Sequence, residues 1–367
     1  MKVFVLGTRG FPNVQGGVEK HCQELYPRLV KLGYAVTVFT RASYIPRDKR
    51  IDEWKGVNFI HLHFPKSKFF EAIIHTFFSL LIAVIKRPDI LHIHAIGPSI
   101  FTPLAKLFRL KVVITHHGFD YRRQKWGGLA KCVLKLGESL GIKFADKIII
   151  ISKTTKILLE NKYKRKDLEF IPNGVELLVY VPAGETLSRY GLKPRGYVFA
   201  VCRFVPEKGL HDLIEAYRRI KNLELKLVIA GDADHLTAYS QRLKKQAQEI
   251  GVILTGFVSG KPLEELYSNA GLFVLPSYHE GVSIGLLEAL SYGLPVLVSN
   301  IPQNKEVPLA EYRYFDVGDV GELARKIEDL VEEGISREEK NRQLEFLKKE
   351  YDWDKVARKT AEAYTTL

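Results

Sequence analysis

Short apolar runs alternate along the whole chain with longer segments in which apolar residues recur every three or four positions. The runs fall at residues 3–6, 35–39, 57–62, 90–93, 112–115 and 147–151 in the first half, and at 197–202, 226–230, 252–254, 272–275 and 295–298 in the second. A strand that is apolar on both faces is typical of a parallel sheet covered by helices. The pattern therefore predicts an α/β protein with two doubly wound, Rossmann-like domains.

Proline and glycine are concentrated between residues 172 and 194, where the two halves meet. The chain has 367 residues, which is too long for one ordinary core. We predict an N-terminal domain at 1–178 and a C-terminal domain at 190–350, followed by an amphipathic helix near 353–364. Two such domains are expected to face a central cleft and to bind ligands there, at the carboxyl ends of their strands.

The clearest chemical signal follows the run at 272–275, where Pro276 ends a strand and a helix begins near Ser283. The amides of Ser283, Ile284 and Gly285 then lie at the positive end of that helix, which is a ready anion site. Glu288 falls on the second turn, where its carboxylate can accept two hydrogen bonds from a ribose diol. The alternative is an ordinary strand, loop and helix with a solvated glutamate.

Two cations, Arg203 and Lys208, follow the first strand of the second half. At a strand end they can converge on a diphosphate and stabilise it as a leaving group. An ordinary basic loop is the alternative.

The first half offers two weaker signals. The loop after the first strand carries Gly16 and Gly17 but lacks the pattern GxGxxG, so we expect no nicotinamide cofactor. The paired glycines either let the backbone approach a ligand or only turn the chain. His117 follows another strand and either bonds a sugar hydroxyl or has a structural role; we interpret His92 and His94 as packing residues.

The net charge of +13 is unevenly distributed. Residues 1–175 hold 30 basic and 13 acidic side chains, a balance of +17, whereas residues 176–367 hold 25 and 29, a balance of −4. Such a split indicates that the first half meets a polyanion, either nucleic acid or an anionic membrane surface.

The apolar segment at 69–85 bears on that choice. Its 17 residues are marginal for spanning a bilayer, and it lies between two sheet strands. It is either a buried crossover helix or an interfacial helix whose outer face meets lipid. The basic residues near it are Lys66, Lys68, Lys86, Arg87, Lys106, Arg109, Lys111, Arg122, Arg123, Lys125, Lys131 and Lys135. This mixture suits anionic headgroups and a lipid-linked acceptor that carries a pyrophosphate.

The three cysteines are widely spaced and fit no metal pattern, and no signal peptide is visible. We therefore expect a cytoplasmic protein that is peripheral on the inner face of the cell membrane.

Together these segments resemble the retaining glycosyltransferases of the GT-B fold and, among them, glycosyltransferase family 4. The resemblance covers nearly the whole chain. It is carried by Gly16-Gly17, His117-Gly118, the Ile-Pro-Asn-Gly-Val string at 171–175, Arg203 with Lys208, the E-x7-E pair Glu280 and Glu288, and Tyr351-Asp352-Trp353.

The resemblance implies a role for each matched residue. Glu288 would bind the ribose together with the helix start at Ser283, Ile284 and Gly285; Arg203 and Lys208 would bind the diphosphate; Glu280 and His117 would contact the donor sugar; and Gly16 and Gly17 would lie against phosphates or acceptor. The last helix would cross back onto the N-terminal domain. Retention would follow front-face attack, with the departing phosphate helping to deprotonate the acceptor.

We therefore expect a retaining hexosyltransferase that uses a nucleotide-diphosphate sugar and a lipid-linked or membrane-surface glycan acceptor, as in cell-surface polysaccharide synthesis. Val14 stands where starch and glycogen synthases carry lysine, which disfavours a glucan synthase. We expect no cofactor and no metal, because Arg203, Lys208 and a helix end neutralise the diphosphate without help from the D-x-D strings at 232–234 and 352–354. The alternatives are a GT-B sugar-nucleotide epimerase or hydrolase and, more remotely, a basic nucleic-acid-binding protein, although no specific nucleic-acid module is present.

Overall fold

The computed structural model of the protein describes residues 1–65, 70–122, 126–222 and 224–367. Five residues of the predicted membrane-facing region therefore lie outside the described residues: Lys66, Lys68, Phe69, Arg123 and Lys125.

Helices and strands alternate along both halves. The first half contains β1 (Lys2–Leu6), α1 (Gly17–Lys31), β2 (Ala35–Arg41), β3 (Glu53–Trp54), β4 (Val57–Leu62), α2 (Phe70–Lys86), β5 (Ile90–His94), α3 (Thr102–Leu107), β6 (Val112–His116), α4 (Gly128–Phe144), β7 (Lys147–Ile150), α5 (Lys153–Tyr163) and β8 (Leu168–Phe170). The second half contains α6 (Glu185–Arg189), β9 (Tyr197–Val201), α7 (Leu210–Arg219), β10 (Lys226–Ala230), α8 (Ala238–Glu249), β11 (Ile253–Gly256), α9 (Lys261–Asn269), β12 (Leu272–Leu275), α10 (Ile284–Ser291), β13 (Val296–Ser299), β14 (Tyr314–Phe315), α11 (Val320–Glu333), α12 (Arg337–Glu350) and α13 (Trp353–Thr365).

The chain divides into two compact units. The N-terminal unit consists of Met1–Asn173 and Trp353–Leu367, and the C-terminal unit consists of Gly174–Asp352. The last helix, α13, thus belongs to the N-terminal unit. Its apolar face contributes Trp353 and Tyr364 to a core that also contains Leu25 and Tyr26 of α1, which explains the amphipathic pattern at the end of the chain.

The N-terminal unit is built on a sheet of order β3-β4-β2-β1-β5-β6-β7-β8. Its strands pair in parallel, except that the short β3 is antiparallel to β4. The central strand β1 sends Val3 and Val5 into one apolar core and Phe4 and Leu6 into another, on opposite faces of the sheet. Both faces are covered because α-helices connect the parallel strands.

The C-terminal unit repeats this plan with a parallel sheet of order β11-β10-β9-β12-β13-β14. The strand β9 lies inside the sheet, with Phe199 in one core and Val198 in the other. The prediction of two doubly wound α/β domains is confirmed. The edge strands β3, β8 and β14, of two or three residues each, were not predicted, because so few residues show no periodicity.

Helix α2 occupies most of the apolar segment at 69–85. It buries polar residues and exposes apolar ones, which is the reverse of what is usual for a helix at a protein surface. Its polar residues Glu71, His75 and Ser79 are buried, whereas Phe77 and Phe78 are 36% and 45% exposed. The helix connects β4 to β5, as expected of a crossover helix. Its outer face is nevertheless apolar, as expected of an interfacial helix. Among the described residues no helix is both long and apolar enough to cross a membrane.

Candidate active site

Lys208 and Glu280 come from different strand ends of the C-terminal unit and form an ion pair. Lys208 ends a short turn after β9, and its Nζ lies 2.5 Å from Glu280 Oε1. The same oxygen accepts a hydrogen bond from Ser277 Oγ at 2.6 Å. The side chain of Glu280 is only 7% exposed, so its charge depends on these partners. The structure thus brings together two residues that the sequence assigned to the diphosphate and to the donor sugar.

Gly209 allows the two loops to approach each other this closely. Its φ is +64°, and a Cβ at this position would lie 1.9 Å from the carbonyl oxygen of Pro276. Beside it, the amide of Tyr278 donates to the carbonyl oxygen of Glu207 at 2.9 Å. Any side chain at position 209 would push apart the backbone segments that carry Lys208 and Glu280.

Arg203 is held by a carboxylate of the first D-x-D string. Its Nη1 lies 2.9 Å from Asp234 Oδ2. The other acid of the string, Asp232, pairs with Lys244 at 2.7 Å. Both acids therefore neutralise cations of the protein, which gives the string a role other than metal binding.

The half-buried thiol of Cys202 lies among charged side chains at the end of β9. Burial raises the pKa of Cys202 to about 12, and Lys208, Glu280 and Arg203 also act on it electrostatically. The cations predicted to bind a diphosphate and the acid predicted to contact the sugar therefore share one locality, at the carboxyl end of the strand.

Helix α10 begins where the sequence indicated. Ser283 is its N-cap residue, and its Oγ accepts a hydrogen bond of 3.4 Å from the amide of Leu286. The amides of Ile284 and Gly285 have no acceptor within the helix, because the first turn of any helix lacks one. One turn further on, the half-buried Glu288 accepts a hydrogen bond of 3.1 Å from the hydroxyl of Tyr267. Tyr267, from α9, was not identified from the sequence.

The two glycines of the first loop have different environments. Gly16 precedes α1 with φ +149°, and a Cβ there would lie 2.1 Å from Glu19 Oε2. Glu19 pairs with Arg9 at 3.0 Å; burial acts to raise its pKa, but Arg9 holds that pKa below its usual value. A Cβ on Gly17 would meet nothing within 4 Å. Gly16 is thus required by internal packing, while the backbone at Gly17 remains open to close approach.

His117 belongs to a cluster of imidazoles at the carboxyl end of β5 and β6. Its Nε2 lies 2.9 Å from His94 Nδ1, and the other nitrogen of His94 bonds the hydroxyl of Tyr26. His21 packs edge-on against both rings, and its Nδ1 lies 2.9 Å from Asn173 Oδ1. Burial lowers the pKa of His21 to about 4, with the Asn173 hydrogen bond acting in the opposite direction.

The two alternating histidines of β5, interpreted from the sequence as packing residues, are both fully buried but have different partners. His92 bonds Thr115 Oγ1 at 2.7 Å and the hydroxyl of Tyr364 at 2.6 Å, deep in the core. His94 instead contacts the predicted site residue His117. The sequence missed this because both histidines point to the same face of one strand, and nothing in their spacing separates the two roles.

A buried carboxylate supports the turn after β6. Glu138 accepts hydrogen bonds from Lys162 Nζ at 2.6 Å and from the hydroxyl of Tyr163 at 2.7 Å, and it lies 3.4 Å from His116 Nε2. Burial acts to raise the pKa of Glu138, but these hydrogen bonds lower it to about 2. The other nitrogen of His116 accepts a hydrogen bond from the amide of Gly118, which fixes the turn between them.

Two family models match the chain, one to each half. The model described as Glycosyltransferase Family 4 matches residues 15–177, and the one described as Glycosyl transferases group 1 matches residues 189–351. Two α/β units, each built on a mainly parallel sheet and each matched by a glycosyltransferase model, show a glycosyltransferase of the GT-B fold. The chain belongs to glycosyltransferase family 4.

Several known proteins are similar to it in sequence. An uncharacterized glycosyltransferase of Methanocaldococcus jannaschii is 26% identical over 388 residues, covering 99% of this chain and 98% of the relative. The UDP-Gal:alpha-D-GlcNAc-diphosphoundecaprenol alpha-1,3-galactosyltransferase of Escherichia coli is 31% identical over 238 residues, covering 60% of this chain and 59% of that protein.

Among solved structures, sucrose-phosphate synthase from Thermosynechococcus elongatus shares the fold with a TM-score of 0.83 at 21% identity, over 100% of this chain and 98% of that one. HepE from Anabaena, solved in complex with UDP-glucose, superposes with a TM-score of 0.80 at 17% identity over the whole of both chains.

Proposed function

We propose that this glycosyltransferase is a retaining enzyme that moves a hexose from a nucleoside-diphosphate sugar to a hydroxyl of a lipid-linked or membrane-surface glycan. The observation that carries the proposal is the meeting of Lys208 and Glu280 at the end of β9, beside Arg203. Two cations at one strand end, Arg203 and Lys208, suit a diphosphate leaving group, whose negative charge grows as its bond to the sugar breaks. Helix α10 adds a positive end and, at Glu288, an acceptor for ribose hydroxyls.

In the proposed reaction the acceptor oxygen attacks the anomeric carbon on the face from which the diphosphate leaves. The bond from that carbon to the diphosphate oxygen breaks, and its electron pair stays on the diphosphate. The departing phosphate takes the proton of the acceptor hydroxyl as the new glycosidic bond forms. The protein's part is to hold the diphosphate and to stabilise its charge through Arg203 and Lys208, with no metal required for that step.

The relatives support a lipid-linked acceptor. The galactosyltransferase of Escherichia coli is named for a diphosphoundecaprenol-linked sugar, and relatives from Arabidopsis thaliana and Saccharomyces cerevisiae are named as phosphatidylinositol N-acetylglucosaminyltransferase subunits. Each of these names describes an acceptor with a lipid anchor and a phosphate group at its head.

A donor and acceptor screen tests the proposal. UDP-, GDP- and dTDP-hexoses are first ranked by thermal shift, since a ligand at about 100 times its dissociation constant stabilises a protein by about 2.7 kcal/mol. The best donor is then incubated with a polyprenyl-diphosphate sugar, and the anomeric configuration of the product is read by NMR. We expect transfer with retention. An inverted product would refute the proposed mechanism, and equal donor consumption without acceptor would favour the epimerase or hydrolase.

The outward face of α2 supports a membrane location. Ile73, Ile74, Phe77, Phe78 and Ile85 are all exposed on this one helix. Exposed cations on the same unit are Lys86, Arg87, Arg109, Lys111, Arg122 and Lys135. A basic residue near an anionic surface contributes about 1 kcal/mol, so four or five of them together with an inserted apolar face suffice for reversible docking.

Vesicle co-sedimentation tests this part of the proposal separately. We expect binding to anionic vesicles, little binding to neutral ones, and release as salt rises. Replacing Phe77 and Phe78 by serine should weaken binding, whereas Leu236→Ser, which removes an exposed apolar side chain from the C-terminal unit, serves as the matched control. Binding that is indifferent to lipid charge, or to the two phenylalanines, would contradict docking through α2.

A further inference from the structure

Three imidazoles of the N-terminal unit present nitrogen atoms to one another. One ring nitrogen from each of His21, His94 and His117 lies within 4.8 Å of the other two. His21 and His94 are buried, and His117 is half-buried. The three rings come from α1, the end of β5 and the segment after β6, elements that the sheet and its helices fix in place.

The free nitrogen of His21 is the second observation. Its Nε2 is buried and makes no hydrogen bond within the described part of the chain. A buried polar atom without a partner costs about 1–3 kcal/mol, and such atoms are rare in native proteins. Its other nitrogen, Nδ1, faces the carbonyl oxygen of the Asn173 side chain, which can only accept, so the proton resides on Nδ1 and Nε2 carries a lone pair.

His94 is held in a similar way. Its Nε2 bonds the hydroxyl of Tyr26, while its Nδ1 faces His117 Nε2 at 2.9 Å. A lone pair on His94 Nδ1 and a tautomeric shift of the His117 proton to Nδ1 leave one lone pair on each ring of the cluster, with no change in net protonation. An outer hydrogen bond that fixes the tautomer of each ligand is the arrangement seen around metal-bound histidines.

The three imidazole nitrogens indicate which metal ion the site would bind. Three neutral nitrogens suit zinc and its neighbours in the first transition row, whereas magnesium and calcium prefer oxygen. Zinc binds imidazole nitrogen at about 2.0–2.1 Å and is commonly tetrahedral, with a fourth position for water. Two nitrogens on such an ion lie roughly 3.4 Å apart. The observed separations of 2.9 Å and up to 4.8 Å therefore require shifts on the order of 1 Å.

We propose that His21, His94 and His117 form a zinc site that competes with the donor sugar for His117. The site lies in the N-terminal unit, whereas the cations assigned to the diphosphate lie in the other unit, so it is a different site from the one where no metal is required. Zinc binding itself does not depend on the proposed function. Inhibition by zinc rests on it, and also on the contact with the donor sugar that the family resemblance implies for His117.

The part of the proposal that concerns metal binding is tested without any substrate, on the full-length protein freed of metal by EDTA. Cobalt(II) is the probe, because a tetrahedral cobalt site absorbs strongly in the visible region and zinc displaces cobalt. We expect one cobalt per chain with tetrahedral absorption. His21→Gln should abolish it, while His63→Gln, which alters an exposed histidine of the same unit, should not.

Asn173→Ala provides a graded variant, since it leaves His21 in place and removes the hydrogen bond that orients it. It should weaken zinc binding about 10- to 100-fold, the range measured for such outer partners. Tryptophan fluorescence and circular dichroism establish that each variant is folded; if His21→Gln is not, His94→Gln and His117→Gln take its place. Absence of tetrahedral cobalt absorption in the wild type, or its persistence in folded His21→Gln, would overturn the site.

Inhibition is then measured as transfer activity against free zinc. We expect activity to fall over the same concentrations at which zinc displaces cobalt. Zinc that binds but leaves activity unchanged would overturn the competition with the donor. If no donor supports transfer at all, the proposed function fails, and the cobalt spectrum still decides the metal site.

Discussion

Replacing Lys208 tests the leaving-group site most directly, because the structure shows what the residue does before any ligand arrives. Its Nζ is 2.5 Å from Glu280 Oε1, and both side chains are largely buried, at 18% and 7% exposure. In the proposed reaction the same ammonium faces a diphosphate whose charge grows toward the transition state. Interactions that strengthen in this way lower kcat when they are removed, whereas uniform binding changes only KM.

The size of the expected effect follows from two losses, that of the contact with the diphosphate and that of the ion pair with Glu280. Loss of one preorganised donor to a developing oxyanion costs about 2.7–4 kcal/mol, which is about 100- to 1,000-fold in kcat. Lys208→Met also leaves Glu280 with Ser277 as its remaining partner among those described above, and removing one member of a buried ion pair destabilises a fold by about 3–5 kcal/mol. Lys208→Met combined with Glu280→Gln removes that stability cost.

The assay is steady-state kinetics of transfer, combined with calorimetric titration of the nucleoside diphosphate. We expect Lys208→Met to lower kcat at least 100-fold with a smaller change in KM. Thermal unfolding shows whether the stability loss is relieved in the double variant. An unchanged kcat with a raised KM would refute transition-state stabilisation and leave Lys208 as a ground-state ligand only.

The remaining predictions address the ribose, the metal and the buried carboxylate. Glu288→Ala should weaken nucleoside-diphosphate binding by about 1.5–3 kcal/mol for each hydrogen bond lost, measured by calorimetry; Tyr267→Phe, which removes only the orienting hydroxyl, should cost less, and equal affinities would remove the ribose assignment. Transfer should survive EDTA, whereas complete loss that manganese restores would revive the D-x-D interpretation. The pKa of Glu138 is lowered to about 2, so its stabilisation of the N-terminal unit is complete above pH 4.5 and is lost as the pH falls toward 2. Denaturation followed by tryptophan fluorescence reports that unit, since Trp54, Trp126 and Trp353 all belong to it, and Glu138→Gln should flatten the acid dependence.

The architecture could be predicted from the sequence because its signals are local. Each interior strand is a short apolar run, and β1, β9 and β12 begin and end within one residue of the predicted limits. The start of α10 was equally clear, since a proline, a small-residue turn and a serine cap lie within a few positions of one another. Interactions between residues close together in the sequence determine these strands and helix ends, so a single sequence suffices to identify them.

The partners of the site residues could not be predicted, because they are brought together by the fold. Lys208 and Glu280 are 72 positions apart, and Arg203 and Asp234 are 31 apart. The contact between Lys208 and Glu280 depends on Gly209, because a side chain at that position would collide with the backbone of Pro276. The sequence shows a glycine at 209, but it does not show that the backbone of Pro276 packs against it. For the same reason Asp234 was noted only as part of a D-x-D string, and its pairing with Arg203 was not predicted.

The inverted polarity of α2 joins the sequence pattern to the proposed membrane location. Fully burying a large apolar side chain contributes about 1.5–3 kcal/mol, and this helix loses part of that gain at Phe77 and Phe78 and most of it at Ile85, while placing His75 inside. In water these exposed apolar side chains are unfavourable. Against a bilayer the same side chains regain their burial, and the basic residues of the unit add electrostatic attraction. We infer that the lipid surface, rather than the protein core, is the apolar medium for which the outer face of α2 is suited.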